Sequence, residues 1–298
     1  MVYTIRLITD ADLPLVNRWA QQEGFCPGVG DTGIYYNTDR TGVWVGVLDH
    51  QPIGCIAGIR YDQSYGFVGM FIVDPAFRGR GYGVALWQKA IEYLQEVACV
   101  GLEAALERVE NYASWGFEPA YYTRRYGLPS AYRHACLRPT TALDLPLGFQ
   151  ILSGAEVPEE IVQIYDARHE VTPRPLFLHE WLQHPEGTVK VVLDERGSCR
   201  GYGRIRPCLL PNDTTPNGWR LGPLLADQPE LAGALLDLLL SDRQGPVLID
   251  VPEINRAATS LLEERGFELQ LFNLRMYKGD PPSLSLKDIY GLACLELG

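Results

Sequence analysis

The residues Arg78-Gly79-Arg80-Gly81-Tyr82-Gly83 carry the clearest chemical signal in this chain of 298 residues. They lie between an apolar run that stops at Asp74-Pro75 and an amphipathic stretch beginning at Val84. A helix N-terminus presents unpaired backbone N–H groups and a partial positive charge. Glycines there let an anion approach the backbone closely. The segment is therefore suited to hold a pyrophosphate. One rival is a tight turn whose glycines serve packing alone. Another is an RGG-like RNA element, which would sit in a disordered basic tail, not between an apolar strand and a helix of an acidic chain. The segment fits neither the dinucleotide G-x-G-x-x-G nor the Walker G-x-x-x-x-G-K-[ST] pattern, which disfavours hydride and phosphoryl transfer there. Leu178 to His184, LHEWLQH, invites a metal reading. Its histidines are five residues apart, off one helical face, and zinc would need H-E-x-x-H. No metal is expected.

Elements on both sides must position the glycine segment. YGFVGMFIV, Tyr65 to Val73, is a continuous apolar run, typical of a strand buried on both faces. In VALWQKAIEYL, residues Val84, Trp87, Ala90, Ile91 and Leu94 form one apolar stripe, so this is a helix packed on a sheet. YTIRLIT alternates like a strand, and DADLPLVNRWAQQEG follows as a helix that Asp10 or Asp12 can cap. FCPGVGDTGIYYNTDRTG is rich in Gly, Thr and Asp and reads as a long loop. VWVGVLDHQPIGCIAGIRYD reads as two strands joined near Asp49 to Pro52. RPTTALDLPLGF, Arg138 to Phe149, is a linker candidate. Beyond it come a helix (EVPEEIVQIYDARHE), a strand pair (TVKVVLDERGSCRGYGRIR), a helix (PELAGALLDLLLSD), a buried strand (PVLIDV), a helix capped by Asn255, and a closing strand (ELQLFNLRMYKG).

The two halves resemble each other. IAGIRY near Ile56 matches YGRIRP near Tyr202, VGMFIVDP from Val68 matches LGPLLADQ from Leu221, and SWGFEPAYYTRRYG from Ser114 matches ERGFELQLFNLRMYKG from Glu264. The period is a domain, too long for a solenoid. With the chain length, this predicts two copies of one α/β fold, a mixed sheet with helices, over residues 1–138 and 146–298.

Bulk composition narrows the partners. Hydrophobic content of 46% and charged content of 21% are ordinary for a soluble globular protein. Net charge of −11 repels phosphate backbones, so nucleic acid is not an expected partner. No apolar run spans a bilayer and no secretory signal is visible. The seven cysteines, Cys26, Cys55, Cys99, Cys136, Cys199, Cys208 and Cys294, include no C-x-x-C pair. A cytoplasmic protein with reduced thiols, without membrane attachment, as a monomer or homodimer, is the expectation.

IVDPAFRGRGYGVAL resembles the acyl-coenzyme A signature of the GNAT superfamily of N-acetyltransferases, Val-x-Pro followed by [Gln/Arg]-x-x-Gly-x-[Gly/Ala], with Val73, Pro75, Arg78, Gly81 and Gly83 in the defined places. The resemblance implies that amides from Arg78 through Gly79, Arg80, Gly81 and Tyr82 to Gly83 wrap the pyrophosphate of acetyl-CoA. It also implies that Phe71, Ile72 and Val73 lend backbone hydrogen bonds to the pantetheine arm and thioester. GNAT proteins often carry a Tyr four residues before a Gly-Phe pair, and NYASWGF puts Tyr112 there; a core aromatic is the competing role. The family often has Asn seven residues ahead of that Tyr, and here Ala105 stands in its place. The second half keeps Asn255 and Gly266-Phe267 but has Leu262 at the Tyr place. In an ungapped alignment Leu231, Ala232 and Ala234 replace Arg78, Gly79 and Gly81, while Asp227 and Glu230 are placed to cap the helix and repel phosphate. The chain is thus similar to tandem GNAT proteins with an active N-terminal and a degenerate C-terminal domain. Its ending, DIYGLACLELG, is also similar to that group.

The implied chemistry is acetyl transfer to an amine of a small molecule by direct attack in a ternary complex. Tyr112 is the candidate acid for the leaving thiolate, and a backbone N–H at the end of the Phe71–Val73 strand the candidate oxyanion donor. Glu103 is the first candidate base, against a plain exposed strand-end carboxylate, with Glu23 and Asp31 as alternatives. Arg60, Arg204 and Arg206 fit interdomain ion pairs as well as ligand contacts. A non-catalytic acyl-coenzyme A sensor or scaffold is the alternative function.

Overall fold

The computed structural model describes residues 1–130, 145–241 and 243–298. Residues 138–144 of the expected linker lie outside the described residues. Its far end, Phe149, opens a strand.

The first half supplies strands β1 (Tyr3–Leu7), β2 (Val43–Leu48), β3 (Gln51–Arg60), β4 (Tyr65–Val73), β5 (Cys99–Ala105) and β6 (Glu118–Leu128). Its helices are α1 (Leu13–Gln22), α2 (Asp31–Thr38), α3 (Tyr82–Tyr93) and α4 (Val109–Ala113). The second half repeats the pattern with β7 (Phe149–Ser153), α5 (Glu159–Asp166), α6 (Pro175–Gln183), β8 (Thr188–Asp194), β9 (Cys199–Cys208), β10 (Gly218–Ala226), α7 (Pro229–Leu240), β11 (Val247–Pro252), α8 (Arg256–Glu263) and β12 (Glu268–Gly279). A short strand β13 (Ile289–Gly291) has no counterpart among the described residues of the first half.

The thirteen strands of the described residues form one mixed sheet. Its order is β1-β2-β3-β4-β5-β12-β6-β11-β10-β9-β8-β7, with β13 branching off β10. The order is palindromic about its centre, so each half gives its sixth strand to the other. Strand β12 pairs with β5 (Arg275 opposite Glu103), and β6 pairs with β11 (Arg125 opposite Asp250). The exchange is reciprocal in packing too. Leu274 and Met276 of β12 enter the core under α3, beside Val68, Trp87 and Leu102. Tyr126 and Leu128 of β6 enter the core under α7. Burial of each such side chain contributes about 1.5–3 kcal/mol.

The segment expected as a long loop holds α2. Asp31, Ile34, Tyr35 and Thr38 are buried at helical spacing, a face hidden among Gly, Thr and Asn residues of low helix propensity. This face packs into a core shared with Phe177 and Trp181 of α6 and with Ala293, Cys294 and Leu297 of the C-terminal tail. Neither Asp10 nor Asp12 caps α1 through its side chain. Asp12 is engaged by Arg6 and by Thr9 in the preceding turn. The residues Gly28 to Gly33 do spell G-x-G-x-x-G. They follow a helix, not a strand, and sit against the buried pair Asp31–Arg206, so the pattern serves packing.

Candidate active site

Strands β4 and β5 run parallel and paired from Tyr65–Cys99 to Val68–Leu102, and then part. From Gly69 onward the β5-facing edge of β4 has no strand neighbour among the described residues. At that point β4 is bulged: Cys55 stays opposite Ile72 and Ala57 opposite Gly69, with an extra residue between. Met70 takes φ +48°, the left-handed region that a non-glycine residue enters at a cost, and its carbonyl accepts from the Cys55 thiol. Bulges of this kind re-aim the backbone beside active sites.

The parting strands open into a cavity of about 750 Å³. Phe71, Ile72, Val73, Arg78, Gly79, Gly81 and Gly83 line it together with Glu103 and Tyr112. Arg80 and Tyr82 do not line it. The Arg80 guanidinium lies over the Phe77 ring, and the Tyr82 ring packs on Tyr3.

The glycine segment has the form an anion needs. Gly79 and Gly81 adopt φ +74° and +85°, and a Cβ at either would meet nothing within 4 Å. The amides from Gly79 to Gly83 find no acceptor among the described residues. Gly81 caps α3 with no side chain, which leaves the helix end to a ligand. The Arg78 side chain turns away from that end and bonds Val73 O at 2.7 Å and Glu23. Open amides, an unpaired strand edge and a cavity of this size fit the pyrophosphate and pantetheine of an acyl-coenzyme A.

Tyr112 sits on α4, its ring 5.1 Å from that of Trp87, in an aromatic group with Phe71, Trp115 and Phe117. Its hydroxyl has no bonded partner among the described residues, and burial raises its pKa above the ordinary value of 10.0. With Ala105 in place of a capping Asn, the chain enters α4 through a single turn, Leu106–Arg108, and the helix is only five residues long.

Glu103 is no exposed strand-end carboxylate. Its side chain is only 3% exposed. Oε1 accepts from Arg275 Nε at 2.7 Å and from the Thr123 hydroxyl at 2.9 Å. Oε2 is buried without a hydrogen-bond partner among the described residues. Burial raises its pKa above 4.5, opposed by Arg275 and Thr123. The partner Arg275 belongs to the exchanged strand β12, which no local pattern could reveal. The two alternative carboxylates are committed elsewhere: Asp31 to Arg206 at 2.7 Å on both oxygens, and Glu23 to Arg78. The Asp31–Arg206 bond joins the two halves. Arg60 instead lies over the Tyr93 ring and Arg204 over that of Trp181.

The second half lacks this geometry for two reasons. Helix α7 begins at Pro229, only Asp227 and Gln228 after β10, so it runs through the place of the loop, and Leu231, Ala232 and Ala234 are buried in it. Asp227 caps nothing; it accepts from Tyr165 and Arg200, and α7 has no side-chain cap. The matching strand edge is also filled. Leu224 and Leu225, the counterparts of Phe71 and Ile72, pair with β13. Asn255, kept at the capping place, accepts from Ala258 N and donates to Lys287 O and Ile289 O, fixing β13 there. The C-terminal segment thus occupies the strand edge of the second half that corresponds to the open edge of β4. It then crosses to the first, where Leu295 and Glu296 line the cavity. Glu296 was not expected, since an apolar tail gives no sign of where it ends.

Comparison with known proteins bears on both halves. Residues 13–117 match the model of the acetyltransferase (GNAT) family, and residues 162–291 that of an acetyltransferase (GNAT) domain. The chain is 30% identical over 287 residues to the holothin acyltransferase of Pseudoalteromonas sp. (strain SANK 73390), covering 95% of this chain and 90% of that protein. Among solved structures it is similar to a candidate acetyltransferase from Pyrococcus horikoshii (TM-score 0.79, 19% identity, 99% of this chain and 96% of that one). It is also similar to a tandem GNAT protein from the clavulanic acid biosynthesis pathway (TM-score 0.65, 14% identity, 95% and 100%).

Proposed function

The chain belongs to the GNAT family and is an acyltransferase of tandem-domain form; from that premise we propose that it moves an acetyl group from acetyl-CoA to a primary amine of a small molecule, by direct attack in a ternary complex. The observation that supports this reading is that the open edge of β4, Gly79, Gly81 and Gly83 before α3, Tyr112 and Glu103 line one cavity.

The amides of Gly79 to Gly83 would hold the pyrophosphate, and the unpaired edge of Phe71 to Val73 the pantetheine arm. The bound coenzyme supplies an activated thioester. A backbone N–H past the Met70 bulge donates to the thioester oxygen as negative charge develops, worth about 3 kcal/mol per donor. Glu103 Oε2 takes the proton from the attacking nitrogen, and the Tyr112 hydroxyl protonates the departing sulfur. Arg275 and Thr123 hold Glu103 in place through its other oxygen. No covalent enzyme intermediate is required.

A coupled thiol-release assay across an amine panel tests the proposal; binding of acetyl-CoA without release of thiol for any amine would leave a sensor. Calorimetry is expected to give one acetyl-CoA site per chain. Gly81→Glu should abolish that site, because it puts a carboxylate where phosphate sits and forces a side chain to φ +85°, a strain of about 1–2 kcal/mol that the fold survives. Two equivalent sites per chain would sink this assignment.

A further inference from the structure

The segment Leu178 to His184, unsuited to zinc, frames a different feature. His179 is exposed and meets the carboxylate of Glu159. Trp181 is fully buried, and two guanidinium groups lie over its ring, Arg204 at 4.5 Å and Arg206 at 4.2 Å. The two arginines are two residues apart on β9 and share one face of the sheet. Arg206 donates to both oxygens of Asp31 and to the carbonyls of Gly222 and Ala293. Arg204, 0% exposed, has no acceptor for Nε, Nη1 or Nη2 among the described residues. Trp181 Nε1 is likewise buried without a partner among them. Two touching side chains thus bury four donor nitrogens and no acceptor.

Charge points the same way. Arg125 and Arg220 share Asp250, Arg220 also acts on Glu296, and Arg206 is matched by Asp31. Those three arginines and three carboxylates balance, and Arg204 is left over. Asp31 attracts Arg204 through space, but both of its oxygens are bonded to Arg206. Burial, then the charge of Arg206, push the Arg204 pKa down to about 9, so the guanidinium stays charged at neutral pH. The Trp181 face attracts that charge but accepts nothing from the guanidinium edge. A buried charge without a counterion is costly, and a water that satisfies an N–H does not balance it.

The turn from α6 to β8 covers this edge. A Cβ on Gly187 would stand 2.7 Å from Arg204 Nε and 2.8 Å from Nη2. Gly187 and His184 of the turn are half-buried, so one layer of chain separates the guanidinium from solvent. Carboxylates near the turn do not serve Arg204: Glu180 accepts from Asn37, and Glu186 is exposed.

We propose that Arg204 holds a small monovalent inorganic anion, of the size and charge of chloride, beneath the turn that joins α6 to β8. A guanidinium so enclosed admits nothing larger. The anion balances the odd charge and offsets the repulsion between Arg204 and Arg206, whose bond with Asp31 joins the two halves. It acts on the stability of the joined fold and uses no residue that lines the acyl-transfer cavity.

The test is thermal unfolding of the full-length protein at constant ionic strength, with chloride exchanged for gluconate, too large for a buried site. Chloride should raise the unfolding temperature saturably, by about 3 °C at ten times its dissociation constant. Arg204→Met keeps the length of the side chain and its packing on Trp181 but removes the charge, and its unfolding temperature should not respond to chloride. Where that variant fails to fold, wild-type crystals soaked in bromide decide, with an anomalous peak expected in contact with the Arg204 nitrogens. Wild-type indifference to chloride, an equal response in Arg204→Met, or bromide-soaked crystals with water alone at the guanidinium would overturn the assignment.

Discussion

Residues Met1 to Arg138 expressed alone are expected to give no soluble, active monomer, although they contain every group assigned to acetyl-CoA. The reason is the exchanged strand. Without β12, β5 and β6 lose their shared neighbour, and each exposes an unpaired edge, a template for aggregation. The core under α3 loses Leu274 and Met276, at about 1.5–3 kcal/mol each. Glu103 loses Arg275, and a buried carboxylate stripped of its partner costs about 3–5 kcal/mol. The opposite face loses Phe177, Trp181, Ala293, Cys294 and Leu297 from its core. These losses together are of the order of the entire stability of a domain, about 5–15 kcal/mol. Gel filtration and circular dichroism of the fragment check the expectation. A soluble monomer with the full-length specificity constant would show that the second half is neither brace nor acceptor wall.

The same exchange marks where sequence reading stops. SWGFEPAYYTRRYG and ERGFELQLFNLRMYKG are legible as equivalent closing strands because each alternates and follows a Gly-Phe pair. Their similarity is also what conceals the exchange: either strand fits beside β5 by pattern, and the choice is made by pairing across about half the chain. The RGRGYG loop was legible because its conformation is local, amides and glycine dihedrals within six residues. Glu103 could be named from its place at the end of an apolar strand, but its burial, its pairing with Arg275 and its free oxygen are nonlocal. Helix α2 was missed because its buried face includes Asp31 and Thr38, residues that mark loops when read singly. The degenerate half was recognised from a lost glycine loop. What fills its strand edge, β13 held by Asn255, required the tail to be placed in space.

Tyr112→Phe should lower kcat by about 100- to 10,000-fold, the range of a lost general acid, with little change in the dissociation constant of acetyl-CoA. The ring is what the cavity wall needs, and Phe keeps its packing on Trp87. In the proposed mechanism the hydroxyl matters only when sulfur leaves, so its removal should raise the energy of the transition state and hardly that of the bound ground state. Acidity gives a second signature. Burial raises the Tyr112 pKa above 10.0, so the wild-type acid stays protonated through neutral pH and is lost only in strong alkali. In the proposed mechanism the acidic limb belongs to Glu103, which must be ionised to accept a proton. Its pKa is raised by burial, so activity should rise with pH through a value above the ordinary 4.5. The Phe variant should keep this acidic limb at a lower plateau and lose the alkaline one. Single-turnover measurement, in which the transfer step is observed directly, decides the matter. An unchanged transfer rate there would make Tyr112 a packing residue and leave the leaving thiolate to take its proton from water.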